Sequence, residues 1–111
     1  MWREGIAAVL AAETTMTLVA EASNGCEAIE QFRQHQPDVT LMDLQMPVMD
    51  GPDAIRNIRK EFPEARIIVL TTYGDDKQAR DAMEAGASGY LLKSVVRKEL
   101  IDTIQRVSSR L

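Results

Sequence analysis

The sequence has few of the features that are typical of disulfide-bonded, membrane or nucleic-acid-binding proteins. Its 111 residues include one cysteine, Cys26, so no internal disulfide can form and we expect a reducing, cytoplasmic environment. No apolar run approaches the ~20 residues needed to cross a bilayer, and the first residues lack a signal-peptide pattern; no membrane partner is expected. The net charge is −4 without any lysine or arginine run, so direct binding to nucleic acid is not expected.

Motifs of common α/β enzymes are also missing. No glycine-rich phosphate loop follows a predicted strand, and no nucleophile motif built on Ser or Cys is found. An enzyme such as a phosphatase or a nucleotide-binding protein is therefore disfavoured, and we predict that the chain is not an enzyme. Its length and its 45% hydrophobic content are sufficient for one compact domain with a core.

The sequence alternates short apolar runs with amphipathic stretches, which is typical of an α/β protein with a parallel sheet. Strands are predicted at residues 17–22, 39–43, 66–70 and 89–92. Helices are predicted at residues 2–13, 24–36, 52–62, from 75 or 76 to about 86, and 96–110. Asn24 with Glu27 three residues later is typical of a helix N-terminus. The prediction is therefore one helix followed by four strand–helix units.

Chemically complementary side chains follow three successive predicted strands. These are Asp43, then Thr71 with Thr72, then Lys93. Ligands of open parallel sheets bind at the carboxyl ends of the strands. There a carboxylate can attack phosphorus, a hydroxyl can donate to a phosphoryl oxygen, and an ammonium can neutralise negative charge. Taken singly, each residue has an ordinary role as a loop cap, a strand residue or a solvated lysine; together they indicate a site.

Three segments resemble those of the response-regulator receiver domains of two-component systems. Residues 41–51 (LMDLQMPVMDG) are similar to the phosphoacceptor loop of that family. Residues 69–72 (VLTT) are similar to its switch-threonine strand, and residues 85–93 (AGASGYLLK) to its last strand with the lysine. Residues 21–25 and 89–93 are most similar to the NarL/FixJ type. The resemblance covers essentially the whole chain.

The resemblance implies a flavodoxin-like receiver fold, with a parallel sheet flanked by helices and the strand order 2-1-3-4-5. Asp43 would accept a phosphoryl group from a sensor histidine kinase. Thr71 and Lys93 would bind it, with Thr72 as a further candidate, and Tyr90 would turn inward as Thr71 moves. Asp43 and the backbone carbonyl of Gln45 would hold Mg²⁺.

The chain departs from the family pattern at its beginning. Receiver domains open with a strand that ends in two acidic Mg²⁺ ligands, whereas residues 2–6 resemble the helix that follows that strand. We therefore expect residues 1–111 to form a receiver domain incomplete at the N-terminus, with four strands, five helices, weakened Mg²⁺ binding and no output domain. Either strand 17–22 closes against strand 39–43, or another chain supplies the edge by strand exchange. We expect a dimer or higher oligomer.

Two functional hypotheses follow. The first is a receiver module that is phosphorylated on Asp43 and controls transcription through a DNA-binding output domain outside this chain. The alternative is a receiver-like module that dimerises or binds partners without using phosphate. The missing acidic pair favours the alternative, and the retained Asp43, Thr71 and Lys93 favour the first.

Overall fold

The computed structural model describes residues 8–12, 24–43, 51–71 and 77–108. Residues 8–11 are helical. The helices that follow are α1 (Gly25–His35), α2 (Gly51–Glu61), α3 (Lys77–Ala85) and α4 (Val96–Ser108). The strands are β1 (Thr40–Asp43), β2 (Ile67–Thr71) and β3 (Gly89–Leu92). No helix in the described ranges has the length and apolar character required to cross a membrane.

The three strands form one parallel sheet in the order β1-β2-β3. Asp43 at the end of β1 is in register with Leu70, and Thr71 at the end of β2 is in register with Leu92 at the end of β3. Each β–α–β connection returns the chain to the same end of the sheet. The carboxyl ends of all three strands therefore lie at one edge, as the sequence predicted.

Alternating residues of β2 supply two hydrophobic cores, one on each face of the sheet. Ile67 and Val69 pack in the core under α1, α2 and α3, and Ile68 and Leu70 pack in the core under α4 and the 8–11 helix. Every residue of β2 is buried. A central strand covered on both faces reads as a continuous apolar run, which explains why this strand is so hydrophobic.

Local signals explain where α1 begins and ends. The side chain of Asn24 accepts a hydrogen bond from the Glu27 amide at 2.9 Å and donates to the Glu27 carboxylate at 3.2 Å, as the sequence pattern predicted. At the other end Gln36 adopts the left-handed conformation (φ 39°, ψ 62°), and its amide donates to the Phe32 carbonyl. Pro37 then prevents continuation of the helix.

The predicted elements agree with the structure in type wherever they can be compared. The bounds predicted for β3 are those observed, and Ile55 and Ile58 of α2 are buried as expected. The strand predicted at 66–70 ended one residue too early, because β2 continues through Thr71 and the Thr71 carbonyl accepts a hydrogen bond from the Lys93 amide at 2.8 Å. The predicted strand at 17–22 and most of the predicted helix at 2–13 lie outside the described residues.

Candidate functional site

The candidate site is the carboxyl rim, which we define as Asp43, Thr71 and Lys93. Asp43 closes β1, Thr71 closes β2, and Lys93 directly follows β3. The backbone hydrogen bond from Lys93 to Thr71 extends the β2–β3 ladder by one step. The sheet itself therefore fixes the relative positions of the backbones that carry these three side chains.

Asp43 and Lys93 form an ion pair across this rim. The Lys93 Nζ lies 3.2 Å from both carboxylate oxygens of Asp43, although 50 residues separate the two in sequence. Each side chain keeps 25% of its surface exposed. The carboxylate is thus paired with a fixed positive charge and remains reachable from solvent. A phosphoryl group placed on Asp43 would bring its oxygens next to that ammonium.

Thr71 is the buried member of the rim. Only 4% of its surface is exposed, whereas the neighbouring ion pair is partly exposed. A hydroxyl at a strand end can donate a hydrogen bond to an acceptor placed on the adjacent strand end. The structure brings together Asp43, Thr71 and Lys93, three of the four residues that the sequence placed at the strand ends.

The other predicted site residues have different positions. Thr72 and Gln45 lie outside the described residues. Tyr90, on the edge strand β3, points outward with 47% of its surface exposed. It lines an open groove against α3, together with Ala79, Arg80, Met83 and Glu84.

Sequence reasoning missed the contribution of Met83 to this groove. Met83 is 42% exposed, and within the described residues it shares this exposure with one other large hydrophobic side chain, that of Tyr90. A signal was present in the helix periodicity. Ala79 and Ala82 are buried, and Met83 lies one turn after Ala79, so the periodicity places it on or beside the apolar stripe of α3; its 42% exposure follows from its position at the edge of that stripe.

The rim offers one carboxylate for a divalent cation among the residues described. No group of three or more His, Cys, Asp or Glu side chains suited to a metal occurs in that part of the chain. Mg²⁺ commonly uses one or two carboxylates together with phosphate oxygens and water. Asp43 therefore fits as one ligand of such an ion.

Comparison with known proteins agrees with this geometry. The family model for the response regulator receiver domain matches residues 1–105. The chain belongs to the response regulator receiver domain family. The order of elements and the parallel sheet described above are those of the flavodoxin-like receiver fold, and the acid, hydroxyl and lysine lie at the carboxyl edge of that fold.

Relatives of this receiver domain include transcriptional regulators. Over 103 residues it is 42% identical to the transcriptional regulatory protein YxjL of Bacillus subtilis (strain 168), covering 93% of this chain and 47% of that protein. The chain thus spans about half the length of this curated relative.

Solved structures give the same fold. The signal receiver domain of the response regulator NarL from Mycobacterium tuberculosis superposes with a TM-score of 0.90 at 30% identity, covering 97% of this chain and 87% of that one. The receiver domain of the sensor histidine kinase PA1611 from Pseudomonas aeruginosa PAO1 superposes with a TM-score of 0.85 at 29% identity, covering 96% and 88%. That structure has a magnesium ion coordinated in its active site cleft.

Proposed function

We propose that residues 1–111 form one receiver domain that accepts a phosphoryl group on Asp43. The observation that carries the proposal is the ion pair at the carboxyl rim, in which Lys93 Nζ lies 3.2 Å from both oxygens of a partly exposed carboxylate. A carboxylate held beside an ammonium, with a buried threonine at the next strand end, suits the formation of an acyl phosphate.

The proposed reaction is a single transfer. An oxygen of Asp43 attacks the phosphorus of the donor, the bond from phosphorus to the donor's leaving atom breaks, and the leaving group departs with that electron pair. When the donor is the phosphohistidine of a sensor kinase, the departing group is its imidazole. Lys93 balances the charge gained by the product. Because Asp43 itself is modified, the domain acts as an acceptor in this transfer and not as an enzyme.

We propose Mg²⁺ as the cofactor of this transfer. Asp43 would supply one carboxylate oxygen and Gln45 its backbone carbonyl, with phosphate oxygens and water completing the coordination. The ion would supply neutralisation of negative charge on the phosphoryl oxygens.

We propose that Thr71 and Tyr90 change position when Asp43 is phosphorylated. The new phosphoryl oxygens would attract the Thr71 hydroxyl, and Thr72 is a further candidate for this contact. Tyr90, exposed in this structure, would turn inward as Thr71 moves and change the groove against α3. The pair Met83 and Tyr90 gives that groove the apolar surface that a homo-oligomer would bury.

The remaining parts of the proposal concern the whole protein. Since the relatives are transcriptional regulatory proteins about twice as long, we propose that a DNA-binding output domain outside these residues controls transcription. A sensor histidine kinase is the proposed partner, and the cytoplasm is the proposed location. In the described residues β1 pairs with β2 alone, and exchange of a strand between chains at the other edge of β1 stays a prediction.

The test is intact-protein mass spectrometry after incubation with acetyl phosphate and Mg²⁺. The proposal predicts one phosphoryl adduct on the wild-type chain and none on Asp43→Asn, which keeps the size of the side chain but removes its charge. Asp53→Asn is the matched control, because Asp53 is an exposed aspartate of α2 that pairs with Arg56.

The absence of an adduct on folded wild-type protein would reject phosphorylation of Asp43. It would favour the phosphate-independent binding module instead. Sedimentation of the same samples then decides the oligomer prediction, since a stable, folded monomer at all concentrations would contradict it.

A further inference from the structure

An asparagine and a glycine are adjacent at the start of α1. Asn24 is the N-cap of this helix and Gly25 is its first residue. The backbone nitrogen of a residue can attack the side-chain amide of an asparagine before it, and a glycine hinders this attack least because it has no Cβ. The chain contains one other asparagine, Asn57, which is followed by the β-branched Ile58. Of the two asparagines, Asn24 therefore has the more reactive sequence context.

The reaction is a deamidation through a cyclic imide. The Gly25 nitrogen forms a bond with Cγ of Asn24 and loses its proton, while the bond from Cγ to Nδ2 breaks and Nδ2 leaves as ammonia with that proton. Water then opens the ring at either of its two carbonyl carbons. One opening yields aspartate at position 24, and the other yields isoaspartate, in which an additional methylene lies in the backbone. Water is the one co-reactant required.

The folded chain holds Asn24 in a conformation that does not allow this ring to close. Closure requires the Gly25 nitrogen to eclipse Cβ of Asn24 across the Cα–C bond, whereas at the observed ψ of 173° these two atoms are staggered. Gly25 is also buried, so its nitrogen is shielded from solvent. Ring closure therefore requires rotation about the Cα–C bond and displacement of the first turn of α1.

Hydrogen bonds of Asn24 oppose that rotation. Its Oδ1 accepts from the Glu27 amide at 2.9 Å, and its Nδ2 donates to the Glu27 carboxylate at 3.2 Å. Its backbone carbonyl accepts from the Ala28 amide at 2.9 Å. Rotation would move that carbonyl away from Ala28, and attack on Cγ would require the side chain to leave Glu27. The group that caps the helix is thus also the group that reacts.

We propose that Asn24 is a site of spontaneous deamidation, and that its N-cap hydrogen bonds restrain the reaction until the first turn of α1 opens. Opening of a helix end is a local event that does not require the whole domain to unfold. The proposal is independent of phosphorylation, because Asn24 is not part of the carboxyl rim and its test contains no phosphodonor.

The two products should differ in their effect on α1. Aspartate remains a good N-cap, and its negative charge is favourable at a helix N-terminus. Isoaspartate lengthens the backbone and moves the capping oxygen away from the Glu27 amide. Hydrogen exchange at that amide should therefore stay slow in Asn24→Asp and become faster in stored protein as isoaspartate accumulates. Faster exchange in Asn24→Asp as well would overturn this distinction.

The test of the site is peptide mapping by mass spectrometry after storage of the full chain in one buffer, either folded or in guanidinium chloride. In the denaturant, Asn24 should convert to aspartate and isoaspartate while Asn57, the internal reference, stays unmodified. In the folded chain the conversion should be slower by roughly tenfold or more, since it proceeds only from an opened turn. Asn24→Ser keeps a capping oxygen but has no amide, so neither product should form.

A pair of glutamate variants tests the restraint by the N-cap. Glu27→Ala removes the acceptor of Asn24 Nδ2 and leaves the reacting residues intact. Glu30→Ala is the matched control, because Glu30 is an exposed glutamate three residues later in α1. In folded protein, Glu27→Ala should accelerate deamidation about threefold, the scale expected for loss of one exposed hydrogen bond, and Glu30→Ala should not. In guanidinium chloride both variants should react at the rate of the wild type.

The two parts of the proposal fail in different ways. Absence of conversion at Asn24 in the denatured chain would overturn the reactive site. Equal rates in the folded and denatured chains would overturn the restraint alone, as would equal acceleration by Glu27→Ala and Glu30→Ala in folded protein.

Discussion

The two ends of the parallel sheet are built from different kinds of contact. At the carboxyl rim, Asp43 and Lys93 form an ion pair in which each side chain is 25% exposed. At the amino end, Arg59 bonds to a backbone carbonyl and lies against Gly86. There Arg33 also contacts both carboxylate oxygens of Glu61 at 2.9 and 3.0 Å, which joins α1 to α2.

This difference separates residues expected to act in phosphorylation from residues expected to stabilise the fold. The charges of the carboxyl rim face each other where a ligand can reach them, so their removal should change reactivity more than folding. The charged groups of the amino end bond to backbone or bridge neighbouring helices, so their removal should change folding more than reactivity. Variants at the two ends can therefore be compared in one pair of assays, the rate of phosphorylation and the free energy of unfolding.

The largest expected effect is that of Lys93→Met on phosphorylation. Loss of the ammonium should slow formation of the adduct with acetyl phosphate by about 100-fold, the scale observed when one preorganised electrostatic contact is removed. The free energy of unfolding should change by less than about 1 kcal/mol, because the ion pair is partly solvated. Initial rates by mass spectrometry and urea unfolding measure the two quantities.

Lys98→Met is the control for this variant. Lys98 is an exposed lysine in the first turn of α4, so the substitution removes the same charge away from the rim. Equal rates of phosphorylation for the two lysine variants would show that Lys93 takes no part in the transfer.

The second prediction concerns Gly86, where a substitution should change stability more than the rate of phosphorylation. Gly86→Ala should lower the free energy of unfolding by about 1–3 kcal/mol, because φ +118° is a conformation that residues with a side chain rarely adopt and the new Cβ would collide with Arg59. The rate of phosphorylation should stay close to that of the wild type. Urea unfolding and the same rate assay decide the matter.

Gly89→Ala is its matched control. A Cβ at Gly89 would meet no atom within 4 Å, so a change beyond about 0.5 kcal/mol is not expected. If Gly89→Ala were as destabilising as Gly86→Ala, the contact with Arg59 would not explain the effect.

A smaller, stabilising effect is expected from Gln36→Gly. Gln36 holds φ 39° and ψ 62° at the end of α1, where a side chain is strained and glycine is not. The gain should be about 0.5–1 kcal/mol, since the added flexibility of the unfolded chain offsets part of the relief. Gln34→Gly, inside the same helix and exposed, should instead destabilise by about 1 kcal/mol. Thermal unfolding of both variants should show the opposite signs.

The smallest expected effect belongs to Arg33 and Glu61. Both side chains are about half exposed, at 53% and 42%. A double-mutant cycle of Arg33→Ala and Glu61→Ala should give a coupling energy of about 0.5 kcal/mol. The coupling should weaken in high salt because these charges are solvent-exposed. A coupling unaffected by salt would show that the pair is not the surface contact described.

The sequence predicted the carboxyl rim better than the amino end, for a physical reason. Asp43 and Lys93 are found from sequence because each follows a short apolar run, and the parallel topology then brings strand ends together. The Arg59–Gly86 contact depends on the packing of two helices across 27 residues, and no periodicity signals it. Arg59 is one of two basic residues in the last turn of α2, which is a common feature of helix C-termini.

At the site itself, the sequence did not predict that β2 extends to Thr71. The apolar run that predicted this strand ends at Leu70, but the β2–β3 ladder extends through Thr71 by means of the Lys93 amide. Tertiary pairing therefore decided the end of the strand, as is usual for strand boundaries. The backbone of Thr71 is therefore held in the sheet, one residue beyond Leu70, which is the register partner of Asp43.

The central claim, that Asp43 becomes an acyl phosphate, is tested most directly by chemical trapping. Phosphorylated protein is reduced with sodium borohydride, which converts an aspartyl phosphate to homoserine, and the peptide that contains residue 43 is sequenced by mass spectrometry. The account predicts homoserine at position 43 and unmodified aspartate in the sample without phosphodonor. Unmodified Asp43 in protein that carries a phosphoryl group, or homoserine at another aspartate, would contradict it.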